Sequence, residues 1–416
     1  MTILFLRESM MNFARTAPVI AALLLAGTAT AASAAGLYGQ WRVSFENHPG
    51  GPLPFTLDVR EGKAGPLAYI VNPPERLRAE QVAVTADSIT LTFPSYNSRI
   101  ELKAAAGGTL AGTATVLRST GPVTLVAKAQ RGTWRFTPGV VKPAGNVGGR
   151  WDISYGPRAI KGVMMLKQTG AQVTGTVQLP TGDVRYLAGE LNGSQLKLSA
   201  FDGSSTGLWQ GTLSGDTLKG ANFGATSPAA GNPWAAKKER QADIEAVVVE
   251  KPGADRLAFR LPTPDGQMVS LSDPRFKGKV VVISIGGAWC PNCHDEALFL
   301  GPYATRRQKD GLELIGLQFE YGTDQARAMR QITSFKTRYK LPYPMVYAGQ
   351  PNAEDTKKVL GDLAPVKVWP STIFIGRDGK VREVHVGWAG PATGAMNEKV
   401  KREFDETVSR LLKERA

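Results

Sequence analysis

Two textures of hydrophobic and polar residues divide the chain. From Gly36 to about Arg240, apolar residues alternate with polar ones in short runs broken by Gly, Thr and Ser. Alternation puts every second side chain on one face of a pleated strand, so this stretch predicts an all-β region. Asn192-Gly193 and Asp202-Gly203 mark tight hairpins within it. Beyond Gly253 strand and helix signals alternate, the mark of an α/β domain. A hairpin turns at Pro264-Asp265-Gly266, and the run Val280-Val281-Val282-Ile283-Ser284-Ile285 reads as a buried central strand. Helices are expected over 293–308, 324–339, 353–360 and 396–412; the second carries Ala326, Met329, Ile332 and Phe335 on one side. Strands are expected at 312–319 and 344–347, with a last hairpin of 372–375 and 381–386 closed by Arg377-Asp378-Gly379.

The β region repeats itself. Gly39-Gln40-Trp41-Arg42-Val43-Ser44-Phe45 returns as Gly149-Arg150-Trp151-Asp152-Ile153-Ser154-Tyr155, and Thr109-Leu110-Ala111-Gly112 as Thr217-Leu218-Lys219-Gly220. A shorter match joins Ile89-Thr90-Leu91 to Leu196-Lys197-Leu198. The nearly constant offset predicts two related units of roughly a hundred residues, each a small antiparallel barrel of lipocalin-like character. Aromatic and aliphatic residues are expected to fill each interior, with Trp41 and Trp151 at equivalent places. Holding an apolar ligand or presenting a surface to partners is the functional alternative. Pro- and Gly-rich stretches place the seams at 138–149 and 225–251, the second with a short strand within 244–249. The expected organisation is a leader at 1–34, β units at 35–143 and 144–235, a linker at 236–253 and the α/β domain at 254–416.

Charge and length narrow the function. At 416 residues several domains are expected, and 42% hydrophobic with 21% charged residues describes a folded protein. The formal charge of +14 is spread along the chain, with no basic run interleaved with aromatics, so no nucleic-acid partner is expected. Arg7 and Arg15 precede an apolar stretch at 17–26 and the small-residue site Ala32-Ser33-Ala34, the pattern of a secretory signal peptide. The expectation is a periplasmic protein with no integral membrane segment after signal cleavage; retention of the leader as an anchor is the alternative.

Both cysteines of the chain stand in Trp289-Cys290-Pro291-Asn292-Cys293-His294, directly after the central strand. A thiol at the start of a helix faces unpaired backbone N–H groups and the positive end of the helix dipole, which favour its thiolate. Cys290 is therefore expected to attack, and Cys293, one turn on, to resolve the mixed disulfide by attacking the Cys290 sulfur. A bridge across three residues is a poor structural staple, and too few histidines are at hand for zinc. Cys-x-x-Cys-His also matches a covalent c-type haem site through Cys290, Cys293 and His294, and this reading stays open on the motif alone.

The order of elements in the last third, with Trp289 before the cysteines and Trp369-Pro370-Ser371-Thr372 before the penultimate strand, resembles the thioredoxin fold. More narrowly it is similar to the TlpA-like extracytoplasmic thiol-disulfide oxidoreductases over about 255–416, and it does not reach the β units. The resemblance implies a cis proline at Pro370 facing the disulfide, where adjoining backbone pairs with a substrate peptide. It implies that Glu296 is a buried carboxylate serving Cys293, and that Trp289, Pro291, Asn292 and Trp369 support the site. It further implies disulfide-containing protein substrates, a reductase direction, a membrane thiol carrier as electron donor, and no bound cofactor. Gly286 and Gly287 stand where the family often has aromatics, and Leu298 replaces a usual proline. Gly287 also occupies the place where a peroxiredoxin carries threonine, which argues against peroxide reduction.

Overall fold

The computed structural model describes residues 34–250, 252–361, 363 and 368–415. The expected leader lies outside the described residues, apart from Ala34. Among the described residues no helix is long and apolar enough to cross a membrane.

The first β unit is a nine-stranded antiparallel sheet in which strands follow one another in chain order and the first, Gly39–Phe45, pairs with the last, Gly121–Arg131. Its two end strands, Glu75–Arg78 and Gln81–Val84, are consecutive halves of one bent segment that pairs first with Leu67–Asn72 and then with Ser88–Phe93, so the sheet wraps round on this segment with no ladder between the two halves. At the bend, the Glu80 carboxylate accepts the Ser95 backbone N–H and pairs with Arg338 from the C-terminal domain. The second unit is a closed barrel: Ile160–Thr169 pairs with both Gly149–Tyr155 and Gln172–Leu179, and the short strand Gly182–Asp183 hangs on the rim. Its closing strand is Asn232–Lys238, which extends past residue 235 into the expected linker. Trp234 and Ala236 point into the core while Pro233, Ala235 and Lys237 face out, a period of two that the flanking Pro and Lys residues obscured.

The same device recurs at the start of each unit. Trp41 Nε1 donates to the Leu37 carbonyl and Trp151 Nε1 to the Val147 carbonyl, both at 2.9 Å and both buried. A cation from the last strand lies over each indole, Arg131 over Trp41 and Lys238 over Trp151. The interiors are filled, the second by Trp151, Leu198, Trp209, Leu218 and Trp234 among others. The two units also share a core, because Phe201 of the second packs edge-on to Phe45 and against Phe55 of the first. Arg135, in the seam, is buried and donates to the carbonyls of Pro54 and Val71 and to Ser199 Oγ.

The C-terminal domain is built on a six-stranded mixed sheet with Val280–Gly286 inside it, parallel to Leu312–Phe319 and antiparallel to Ser371–Ile375. All residues of that strand are buried, as suits its apolar run, interrupted by Ser284. Fully burying one such aliphatic side chain contributes about 1.5–3 kcal/mol. Among the described residues four α-helices flank the sheet: α1 Pro291–Arg307, α2 Gln325–Tyr339, α3 Ala353–Leu360 and α4 Ala395–Lys413. One core lies between the sheet and α1, α2 and α4, through Leu300, Ile332 and Phe404 among others; the second includes Val359 and Leu360 of α3. The strand expected within 244–249 forms at Val248–Glu250 on the edge of this sheet.

Candidate active site

The central strand ends at Gly286 and α1 begins at Pro291, so four residues carry the turn that presents the cysteines. Gly287 is required in it: a Cβ there would lie 2.2 Å from Trp289 Nε1 and 2.5 Å from the Phe319 carbonyl oxygen. Instead Trp289 Nε1 donates to that carbonyl at 2.8 Å. Cys290 caps α1, with Pro291 at its first position, where a missing N–H costs nothing. The two sulfurs are joined as a disulfide, and the Cys293 backbone N–H donates to Cys290 Sγ at 3.2 Å. Exposure is 3% for Cys290 and 4% for Cys293.

Two buried groups clamp the peptide of Ala288. Glu320 Oε1 accepts its N–H at 2.7 Å, and its carbonyl accepts from His294 Nε2 at 2.7 Å. Since Nε2 carries the hydrogen, Nδ1 is the acceptor of the Tyr339 hydroxyl at 2.6 Å. Burial, then the nearby Arg338, holds the imidazole well below its usual pKa, so His294 is neutral. Neither ring nitrogen is free for a haem iron, and the cysteines are spent on each other; this site does not fit c-type haem. Burial also pushes the Glu320 carboxyl up to about 8, and its second oxygen has no partner among the described residues.

Glu296 is buried, one turn along α1 from Cys293. The Ser284 hydroxyl donates to Oε2 at 2.7 Å and that of Thr372 to Oε1 at 2.9 Å. Burial pushes its pKa up to about 7, against the pull of the two hydroxyls. The Trp369–Pro370 bond is cis, and the Pro370 carbonyl accepts the Gly387 N–H at 2.9 Å. Trp369 meets Trp289 edge to face with centroids 5.8 Å apart, and Trp289 stacks on Tyr321.

Asn292 turns away from this group. Its Nδ2 donates to Asp183 Oδ1, at 3.3 Å, on the rim of the second β unit. Around it lies a constellation that residue-by-residue reading missed. Arg185 donates to Asp295 Oδ1 at 2.7 Å and to the Pro291 carbonyl at 3.3 Å, and pairs with Glu75 of the first unit. Tyr96 of the first unit stacks on His294 with ring centroids 4.0 Å apart. These contacts join segments more than a hundred residues apart, and no local period announces them.

Fold and site define a thioredoxin-like redox domain, with a disulfide at a helix start, a cis proline on the neighbouring strand and a buried carboxyl behind. Residues 251–398 match the Redoxin family, and the relatives described next cover this C-terminal portion only. The thiol:disulfide interchange protein DsbE of Pseudomonas aeruginosa is 28% identical over 130 residues, which is 31% of this chain and 63% of that protein. The thiol-disulfide oxidoreductase ResA of Halalkalibacterium halodurans is 24% identical over 156 residues, 38% of this chain and 76% of that one. The match thus spans less than two thirds of the DsbE protein. Among solved structures, a thiol:disulfide interchange protein of the thioredoxin family from Chlorobium tepidum aligns with 39% of this chain and 98% of its own, at 19% identity and a TM-score of 0.30.

Proposed function

We propose that the protein is a periplasmic thiol-disulfide oxidoreductase that reduces disulfides in protein clients through Cys290 and Cys293. The observation that carries this reading is the pair itself: Cys290 Sγ accepts a backbone N–H at the start of α1 while bonded to Cys293, which has the buried Glu296 one turn behind it. An N–H aimed at the sulfur stabilises a thiolate there once the disulfide is reduced.

In the dithiol form the Cys290 thiolate attacks one sulfur of a client disulfide, forming a mixed disulfide and releasing the other client sulfur as a thiolate. Cys293 then gives up its proton, relayed through the Glu296 carboxyl, and attacks Cys290 Sγ. The second client thiolate leaves and the Cys290–Cys293 bond re-forms. Two electrons have passed from the pair to the client, and a membrane thiol carrier returns them by the same exchange. Pro370 borders the client's path to Cys290, while Trp289 and Trp369 shape its wall. No bound cofactor enters this scheme. A ligand-holding role for the β units finds no support in their filled interiors.

Cys293→Ser tests the reading. With no resolving sulfur, mixed disulfides between Cys290 and clients accumulate and are seen on non-reducing gels of periplasmic extract; Cys290→Ala abolishes both trapping and insulin reduction. Insulin reduction that persists in Cys290→Ala defeats the proposal.

A further inference from the structure

The proposed reaction requires a client chain to reach Cys290 between three elements: the first turn of α1, the cis-proline strand and the loop 387–390. In the structure that place is taken. The turn at 180–182 and the short strand Gly182–Asp183, both from the rim of the second β unit, lie across it. A Cβ on Gly387 would be 2.7 Å from the Pro180 carbonyl oxygen, and one on Gly182 would be 2.2 Å from Asn292 Nδ2 and 3.3 Å from the Trp388 carbonyl oxygen. Asp183 Oδ1 accepts the Gly390 N–H at 2.8 Å together with Asn292 Nδ2. The same Gly387 hands its N–H to the carbonyl of Pro370, so the rim turn sits beside the cis proline as well as on the helix.

We infer that the segment 180–185 is an intramolecular occupant of the client groove, and that the enzyme works by lifting its redox domain off the β units. This inference rests on the oxidoreductase reading. It accounts for a pair of sulfurs almost closed to solvent in a protein that must exchange them with other proteins.

The seam is built to release. Beside the stack of Tyr96 on His294 its fastening at the groove is polar: Arg185 pairs with Asp295 of the redox domain and Asp183 holds Gly390 and Asn292, and these groups regain water on opening. Charges that lose their water on closing return most of their attraction as desolvation cost, so such a fastening is weaker than an apolar one of equal area. Closure also leaves polar atoms without partners. Arg185 Nε, Glu75 Oε2 and Trp388 Nε1 are buried and have no hydrogen-bond partner among the described residues. A permanent interface pairs such atoms; one that opens in every cycle satisfies them in water.

The test uses the reduced full-length chain. Alkylation of Cys290 by iodoacetamide is timed by mass spectrometry, alongside insulin reduction, in wild type, Asp183→Ala, Arg185→Gln and the control Lys219→Gln, an exposed position flanked by Thr212 and Ala235 within the second β unit. Loosening the seam raises the open population, so both rates rise about tenfold or more in the two seam variants and stay at the wild-type value in the control. Rates within about twofold of wild type in a folded seam variant overturn the inference. Wild type supplies a second readout if the variants fail to fold. The amide of Gly390, whose bond to Asp183 crosses the seam, should exchange hydrogen well before the strand Val280–Gly286. Exchange of that amide only together with the strand also overturns it. Loss of the oxidoreductase reading is separate, since it shows as activity surviving in Cys290→Ala.

Discussion

Replacing Glu296 with glutamine removes one titration from the interior of the redox domain and keeps its shape. The wild-type carboxyl is pushed from 4.5 to about 7 by burial, so the folded state holds its proton more tightly than the unfolded chain. A raised carboxyl pKa gives stability that is fully present below the unfolded value near 4.5 and is lost as pH rises through 7. Integrated from about pH 5 to about pH 8, that loss is about 2.5 kcal/mol. The glutamine variant does not share it. The hydroxyls of Ser284 and Thr372 rotate, so one can accept from the amide N–H and the other donate to the amide oxygen. Every other titrating group is common to both proteins and cancels in the difference. Urea unfolding of the oxidised proteins at the two pH values, read by pulsed hydrogen exchange in Val280–Gly286, reports the domain's own transition. The variant should gain about 2.5 kcal/mol on wild type between the two pH values. Profiles that stay parallel to within about 1 kcal/mol would refute the assignment of Glu296 as a neutral buried acid.

Two further substitutions probe the scaffold of the site. Tyr339→Phe strips His294 Nδ1 of its donor and leaves a buried acceptor unpaired, at a cost of about 1–3 kcal/mol in the urea midpoint; an unchanged midpoint would mean the imidazole has another partner or another tautomer. Ile283→Ala opens a cavity at the centre of the sheet, where the side chain is fully buried, and should cost about 2–5 kcal/mol in thermal unfolding. A loss below about 1 kcal/mol would contradict the central position of that strand.

The redox domain was legible because its signals are local. A strongly apolar run at 280–285, a cysteine pair just after it and helical periods downstream each state their structure within a few residues. Glu296 was singled out through the family resemblance, and its spacing from Cys293 says only that the two share a helical face. The rim strand Gly182–Asp183 and its neighbour Arg185 carry no local signal. Their meaning comes from Asp295 and Asn292, about a hundred and ten residues away, and from a fold in which the second β unit comes to rest on α1. The closing strand Asn232–Lys238 was hidden for another reason, as its two buried positions are flanked by proline and lysines that also mark linkers. His294 carried a motif with two readings, and only the hydrogen bonds of its ring separate them.

The shared interior of the β units has a practical side. Phe201, Leu208 and Phe223 come from the second unit yet belong to the hydrophobic cluster of the first. Severing the polypeptide at 138–149 therefore strips the amino-terminal half of three of its own wall residues and bares aromatic surface on the other. Dissection into pieces is the wrong tool for this molecule, and point changes in the intact chain are the means by which its halves can be told apart.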